Sequence, residues 1–239
     1  MKLHFDSNQE YQWDAIKSIT DIFEGQPLNS GDFEFTTSNA GALLSENGFG
    51  NNLTLSAEQV LENVKAIQKR NEITNSVEEL QGMNFSVEME TGTGKTYVYL
   101  RTVYELNKLY GFKKFVIVVP SVAIREGVLK NLQITHEHFQ SLYDKTSINF
   151  DIYDSKKVSN LRGFSSGNAI QVLVINIDSF AKDENIINKP NDKLTGKKPI
   201  EFIQSTKPIV IVDEPQNMET GIRKKAIQNL EPLCTLPYS

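Results

Sequence analysis

The chain has 239 residues, 39% of them hydrophobic, and a net charge of −5. That is enough apolar material for one large domain or two small ones. The acidic balance excludes attachment to DNA by bulk positive charge and leaves only a local basic face for phosphate contact. A single cysteine, Cys234, allows no internal disulfide and supports no cysteine-based metal site. Met1 to Asp6 turns polar too early for a signal peptide, and no stretch approaches the ~20 apolar residues of a membrane helix. A cytoplasmic protein without membrane attachment is the expectation, and the absence of disulfides fits a reducing compartment.

From the N-terminus, Tyr11, Ala15, Ile16, Ile19, Ile22 and Phe23 recur at helical spacing and predict an amphipathic helix over Gln9 to Phe23. Residues 25 to 55 are rich in Gly, Asn and Ser and read as loops, with a short hairpin around Phe33 and Phe35. Ser56-Ala57-Glu58-Gln59 reads as a capping box opening a helix that ends near Arg70. A strand is expected from Asn84 to Met89, then a Gly-rich turn, then a helix from Lys95 to Tyr110 closed by Gly111. Phe115 to Val119 is an apolar run of strand length stopped by Pro120, and a helix follows from Val122 to about Leu132. Asn149 to Tyr153, Val172 to Ile175 and Ile209 to Val212 complete the strands. The lysine-rich stretch from Lys182 to Lys207 reads as a surface insertion. Strands apolar on both faces, alternating with helices, predict an α/β fold with a doubly wound, mostly parallel sheet.

Two segments carry chemistry. Met89-Glu90-Thr91-Gly92-Thr93-Gly94-Lys95-Thr96 follows a strand and opens a helix, the setting a phosphate-binding loop requires. Glycines let successive N–H groups converge on one phosphate, and the helix N-terminus adds partial positive charge. Thr91, Gly92, Thr93 and Gly94 form the cradle, Lys95 reaches the β and γ phosphates of ATP, and the Thr96 hydroxyl ligates Mg²⁺. Met89 occupies the place where a first glycine is usual, a departure from kinase-type and GTPase-type loops. The second segment is Pro208-Ile209-Val210-Ile211-Val212-Asp213-Glu214-Pro215-Gln216. Its carboxylates emerge at the strand's C-terminal edge, where open α/β sheets bind ligands. Asp213 can hold the Mg²⁺ shell, and Glu214 can orient or deprotonate the attacking water.

Together with Val118-Val119-Pro120-Ser121-Val122-Ala123-Ile124-Arg125-Glu126-Gly127-Val128, these segments resemble the Res subunit of type III restriction enzymes, within the superfamily 2 helicase-like motors. The Asp-Glu-Pro-Gln form of the acidic motif carries the resemblance furthest. It implies a RecA-like phosphate-loop ATPase lobe over residues 1–239. Residues 1–24 would form an adenine-reading helix, 25–80 an insertion or loop-helix segment, and 81–239 the core. The implied catalytic residues are Lys95, Asp213, Glu214 and Gln216. Gln12, within Tyr11-Gln12-x-x-Ala15-Ile16, is implied to read adenine through its amide. Pro120 and Ser121 are implied to grip a DNA strand, with Arg125 either a second phosphate contact or a solvated residue. Asn176-Ile177-Asp178-Ser179-Phe180 resembles a further strand-contact segment whose Phe180 belongs to the core. His136-Glu137-His138 reads as a solvated helix end, Trp13 as packing under the first helix, and Cys234 as a small buried apolar residue.

In this family the last strand runs into a Ser-Ala-Thr motif, and the chain stops at its Ser239, so a truncated first lobe is expected. The resemblance implies a double-stranded DNA partner and a DNA methyltransferase (Mod) subunit, with ATP-driven communication along DNA followed by cleavage. A nucleotide-gated docking module for the methyltransferase stands as the other reading, sustained by the unassigned stretch from Gly25 to Leu80.

Overall fold

The β-branched runs become the centre of a parallel sheet in the computed structural model, which describes residues 5–28, 50–218 and 220–239. The strands are β1 (Lys114–Val119), β2 (Ile148–Ile152), β3 (Ile170–Asn176), β4 (Ile209–Asp213) and β5 (Cys234–Tyr238), in the order β2-β3-β1-β4-β5. Every neighbouring pair is parallel. The expected strand at Asn84 to Met89 lies outside β5, bridged in parallel at Asn84–Thr235 and Val87–Tyr238. The N–H groups of Phe85, Val87 and Met89 donate to the carbonyls of Thr235, Pro237 and Ser239 at 3.0, 2.8 and 2.9 Å. β5 therefore separates the segment feeding the phosphate loop from the strand that carries Asp213.

Alternation along each strand sends side chains to two cores. Phe115, Ile117 and Val119 of β1 join one apolar cluster, and Val116 and Val118 the other. The first cluster is covered by α1 (Glu10–Thr20), α2 (Ala57–Arg70), α3 (Lys95–Tyr110) and α4 (Val122–Leu142). The second is covered by α5 (Asn160–Ser166), α6 (Pro199–Gln204) and α7 (Gly221–Gln228). Helices on both faces make the sheet doubly wound. α3 is buried along nearly its whole length, and Gly111 closes it in the left-handed conformation, φ 75°.

Several expectations are corrected. α4 runs on to Leu142 because Thr135 and Phe139 extend the buried face begun by Val128 and Leu132. His136-Glu137-His138 is thus mid-helix, and His138 packs against Phe5 and Tyr97, with its Nε2 2.9 Å from the Tyr97 hydroxyl. The stretch from Lys182 to Lys207 is only partly a surface insertion: Ile187, Leu194, Ile200, Phe202 and Ile203 are buried core residues. These residues sit on two 3-10 turns and a 6-residue helix, elements too short to show a period among the lysines. α5, α6 and α7 were not anticipated, being only 7, 6 and 8 residues long. The hairpin expected around Phe33 and Phe35 lies outside the described residues. Trp13 is half-buried, with the Arg101 guanidinium 3.9 Å above its ring. Phe180 and Cys234 are buried as expected.

Residues 50–80 are built into the same body. Ser56 and Gln59 form the reciprocal capping box that starts α2, and Val60 and Val64 enter the first core. Asn63 donates to the carbonyls of Ile22 and Glu24 at 3.0 and 2.9 Å, tying α2 to the end of the first helix. Asn51 is buried and joins two chain segments. Its amide donates to the carbonyls of Lys114 and Lys207, and its oxygen accepts from the N–H groups of Lys113 and Lys114.

Candidate nucleotide site at the carboxyl edge of the sheet

Parallel strands all end at one edge, so the loops after β1, β3 and β4 share a surface with the phosphate loop. The loop turns on Gly92 and Gly94, with φ of 84° and 90°, values that favour glycine. The Thr93 hydroxyl donates to the Glu90 carbonyl at 2.6 Å and closes the turn. Gly94 caps α3, which places Lys95 and Thr96 in its first turn, where free N–H groups and the helix dipole favour an anion.

A cleft of about 640 Å³ opens beside this turn. Gly92, Thr93, Gly94, Lys95 and Thr96 line it from the loop, Gln12 and Tyr11 from α1, and Asp213 and Glu214 from the end of β4. Residues more than two hundred positions apart in sequence therefore face one space. Gln12 is 8% exposed, and its Nε2 donates to the Thr93 carbonyl at 2.9 Å. The Tyr11 hydroxyl reaches the same carbonyl at 3.2 Å. α1 thus braces the phosphate loop directly, through the residue expected to read adenine.

Asp213 is the last residue of β4 and is 6% exposed. Burial pushes its carboxyl above the usual carboxylate range. A hydrogen bond from Tyr99 opposes that, repulsion from Glu214 adds to it, and attraction to Lys95 opposes it again. Glu214 leaves the strand in a left-handed conformation, φ 53°, turning its side chain out of the strand's alternation. The set is hard oxygen: the Thr96 hydroxyl and the Asp213 carboxylate. Among the described residues there is no group of three or more His, Cys, Asp or Glu able to hold a metal. A cation here would complete its shell with phosphate and water, which is the habit of Mg²⁺ rather than of zinc or calcium.

The family model for the type III restriction enzyme, res subunit, matches residues 7–236. The chain belongs to this family. It is 31% identical over 200 residues to the type III restriction-modification enzyme EcoP15I Res subunit of Escherichia coli, covering 75% of this chain and 20% of that protein. It is 34% identical over 169 residues to the StyLTI Res subunit of Salmonella typhimurium, covering 62% and 17%. The EcoPI Res subunit of Escherichia phage P1 is 30% identical over 200 residues, covering 75% and 20%. The chain thus spans about a fifth of the length of these relatives. At family level it is a Res-subunit-like domain. No helix among the described residues is long and apolar enough to cross a membrane.

The other expected Res-family positions lie along the same edge. Pro120 and Ser121 follow β1, and the Ser121 hydroxyl caps α4 by accepting from the Ile124 N–H at 3.2 Å. Arg125 is half-buried and paired with Glu126 at 3.0 Å. Gln216 is exposed on the 3-10 turn Pro215–Met218 and is not among the residues lining the cleft. After β3, Asp178 pairs with Arg223 of α7 at 3.0 Å. Arg223 also donates to the Asn217 carbonyl at 2.6 Å, and the Asn217 amide donates to Glu214 at 3.1 Å. This bridge from Asp178 to Glu214 was not foreseen, because neither Asn217 nor Arg223 stands in a motif. Tyr99 was missed as well. The signal was available: it lies three residues after Thr96, on the same side of α3.

Proposed function

We propose that this chain is the ATP·Mg²⁺-binding first motor lobe of a DNA-dependent ATPase. In the whole protein it would work with a Mod methyltransferase subunit on double-stranded DNA, coupling hydrolysis to communication along DNA and to cleavage. One observation carries the reading: Lys95 and Thr96 of the phosphate loop, Asp213 and Glu214 of the acidic strand end and Gln12 of α1 line one cleft. Membership of the Res family supports the same assignment.

Each residue then has a task. The N–H groups of the loop and of the first turn of α3 bind phosphate oxygens, and Lys95 neutralises the terminal ones. Thr96 and Asp213 would hold Mg²⁺, which supplies charge neutralisation across the phosphates when bound. Glu214 orients the attacking water and accepts its proton. Gln12, bonded to the loop through one end of its amide, offers the rest of that amide to the base. Pro120, Ser121 and Arg125 would meet a DNA strand at the same edge. Residues 1–239 would act as a single lobe, and the built-in position of residues 50–80 favours the motor over a separate docking module.

The test is isothermal calorimetry of ADP and of a slowly hydrolysed ATP analogue with the chain and its Lys95→Ala variant. Binding should be weak and should be lost on substitution. An unchanged affinity in Lys95→Ala would remove the phosphate-loop assignment.

A further inference from the structure

Among the described residues, Tyr99 is the one fully buried polar side chain hydrogen-bonded to the carboxylate expected to hold the metal. It is 0% exposed, sits in the second turn of α3, and its hydroxyl donates to Asp213 Oδ2 at 3.1 Å. The bond crosses from the helix that opens with Lys95 and Thr96 to the strand that ends with Asp213. A buried phenol without an acceptor is costly, and so is a buried carboxylate without a donor. Each partner therefore fixes the other. The ring cannot swing away, because Tyr238 of β5 meets it edge-on with ring centroids 5.6 Å apart and planes at 65°. Tyr238 is tied to α3 in turn, its hydroxyl 3.4 Å from the Thr102 hydroxyl.

We propose that Tyr99 is a positioning residue for the cation site: by holding Oδ2 of Asp213 it sets the carboxylate's rotation and leaves Oδ1 as the oxygen for Mg²⁺. This rests on the ATP·Mg²⁺ reading given above. The same spacing that makes Thr96 and Tyr99 neighbours on α3 puts the hydroxyl ligand and the carboxylate's anchor on one rigid element. The distance between the two cation-binding oxygens is then set by a helix, where a loop would leave it free. Partners that orient a metal ligand from behind contribute to affinity through that ligand alone. Phosphate contacts made by the loop N–H groups and Lys95 do not pass through Tyr99.

Tyr99→Phe separates these terms, since it keeps the ring and its packing and removes only the donor. The 239-residue chain is titrated with Mn²⁺ in the presence of ADP and followed by electron paramagnetic resonance, and ADP alone is titrated without metal. The Mn²⁺ affinity of the ADP complex should fall about tenfold in Tyr99→Phe, while metal-free ADP affinity stays within about twofold. In an Asp213→Asn background the same substitution should change Mn²⁺ affinity no further, and the phosphates of ADP keep that residual affinity measurable. Unchanged Mn²⁺ affinity in Tyr99→Phe overturns the proposal. So does an equal fall in the Asp213→Asn background, or an equal loss of metal-free ADP binding, which would mark a purely structural role. Lys95→Ala is run alongside. If ADP binds equally well to that variant, the nucleotide assignment itself has failed and the positioning role falls with it. If Lys95→Ala abolishes binding and Tyr99→Phe changes nothing, only the positioning role is lost.

Discussion

Gly94→Ala puts a number on how the phosphate loop is built. Gly94 has φ 90°, and a Cβ placed there would lie 2.9 Å from Nε2 of Gln12. Holding a residue with a side chain in the left-handed region costs ~1–2 kcal/mol. Moving the Gln12 amide aside forfeits its hydrogen bond to the Thr93 carbonyl, ~1 kcal/mol. The sum is about 2–3 kcal/mol, or about 30- to 150-fold in an equilibrium constant. The loop lies at the rim of a cleft, so the expected outcome is that the free variant relieves part of this strain by shifting the loop, and loses little fold stability. Closing the loop round a phosphate restores the strain, so most of it is expressed as lost affinity. Calorimetry of ADP should show that loss, while thermal unfolding shifts by a few degrees at most. Gly82→Ala is the control, because Gly82 has φ 83° with nothing within 4 Å of its Cβ position. It should destabilise the fold by ~1–2 kcal/mol and leave ADP affinity unchanged. Added to Gln12→Ala, the Gly94→Ala change should cost less than in the wild type, since the crowded amide is gone. Wild-type ADP affinity in Gly94→Ala, or an equal loss in Gly82→Ala, would refute the reasoning.

Four further outcomes follow from the same geometry. Gln12→Ala should narrow the preference for ATP over GTP, measured by competition binding; equal losses for both nucleotides would reduce Gln12 to its brace on the loop. DNA affinity of these 239 residues should be low and fall steeply with salt in a fluorescence anisotropy titration, given the net charge of −5. Steady-state ATP hydrolysis should be slow beside that of the whole protein, because no arginine lines the cleft among the described residues and such a group contributes ~10³ to 10⁵ in related enzymes; equal DNA-stimulated rates would show this lobe to be complete. The last concerns Lys114, whose ammonium donates to the carbonyls of Phe164, Ser165 and Gly167 and which burial pushes down to about 8. Its folded value lies below its unfolded one, so the unfolded chain binds more protons between about 8 and 10.5. Lys114 should therefore contribute a rise of stability with pH through the lower part of that window, on the order of 1 kcal/mol per pH unit; Lys114→Met should lack that rise and keep only the opposite slope of the buried Cys234 thiol, which burial holds above its unfolded value. Urea titrations at pH 7.5 to 9.5 measure it.

The sequence by itself determined the elements whose signals are local. A capping box, a C-terminal glycine and a continuous apolar run each act within one or two turns of chain, so α2, the whole of α3 and β1, β3 and β4 were legible. The phosphate loop and the acidic strand end were legible for the same reason: each is a short run whose chemistry depends on adjacent residues. Only the tertiary structure decided how these runs meet. β5 between the loop's strand and β4, the amide of Gln12 on the Thr93 carbonyl, and Tyr99 on Asp213 join residues 81 and 114 positions apart. The bridge from Asp178 through Arg223 to Glu214 is of the same kind. Local spacing sets Tyr99 on the Thr96 side of α3 but names no partner for it or for the others, because a contact between distant segments depends on strand order and register. The buried half of the Lys182 to Lys207 stretch was hidden for a related reason. Its apolar side chains reach the core from two 3-10 turns and the 6-residue helix α6, elements too short to display a period in sequence.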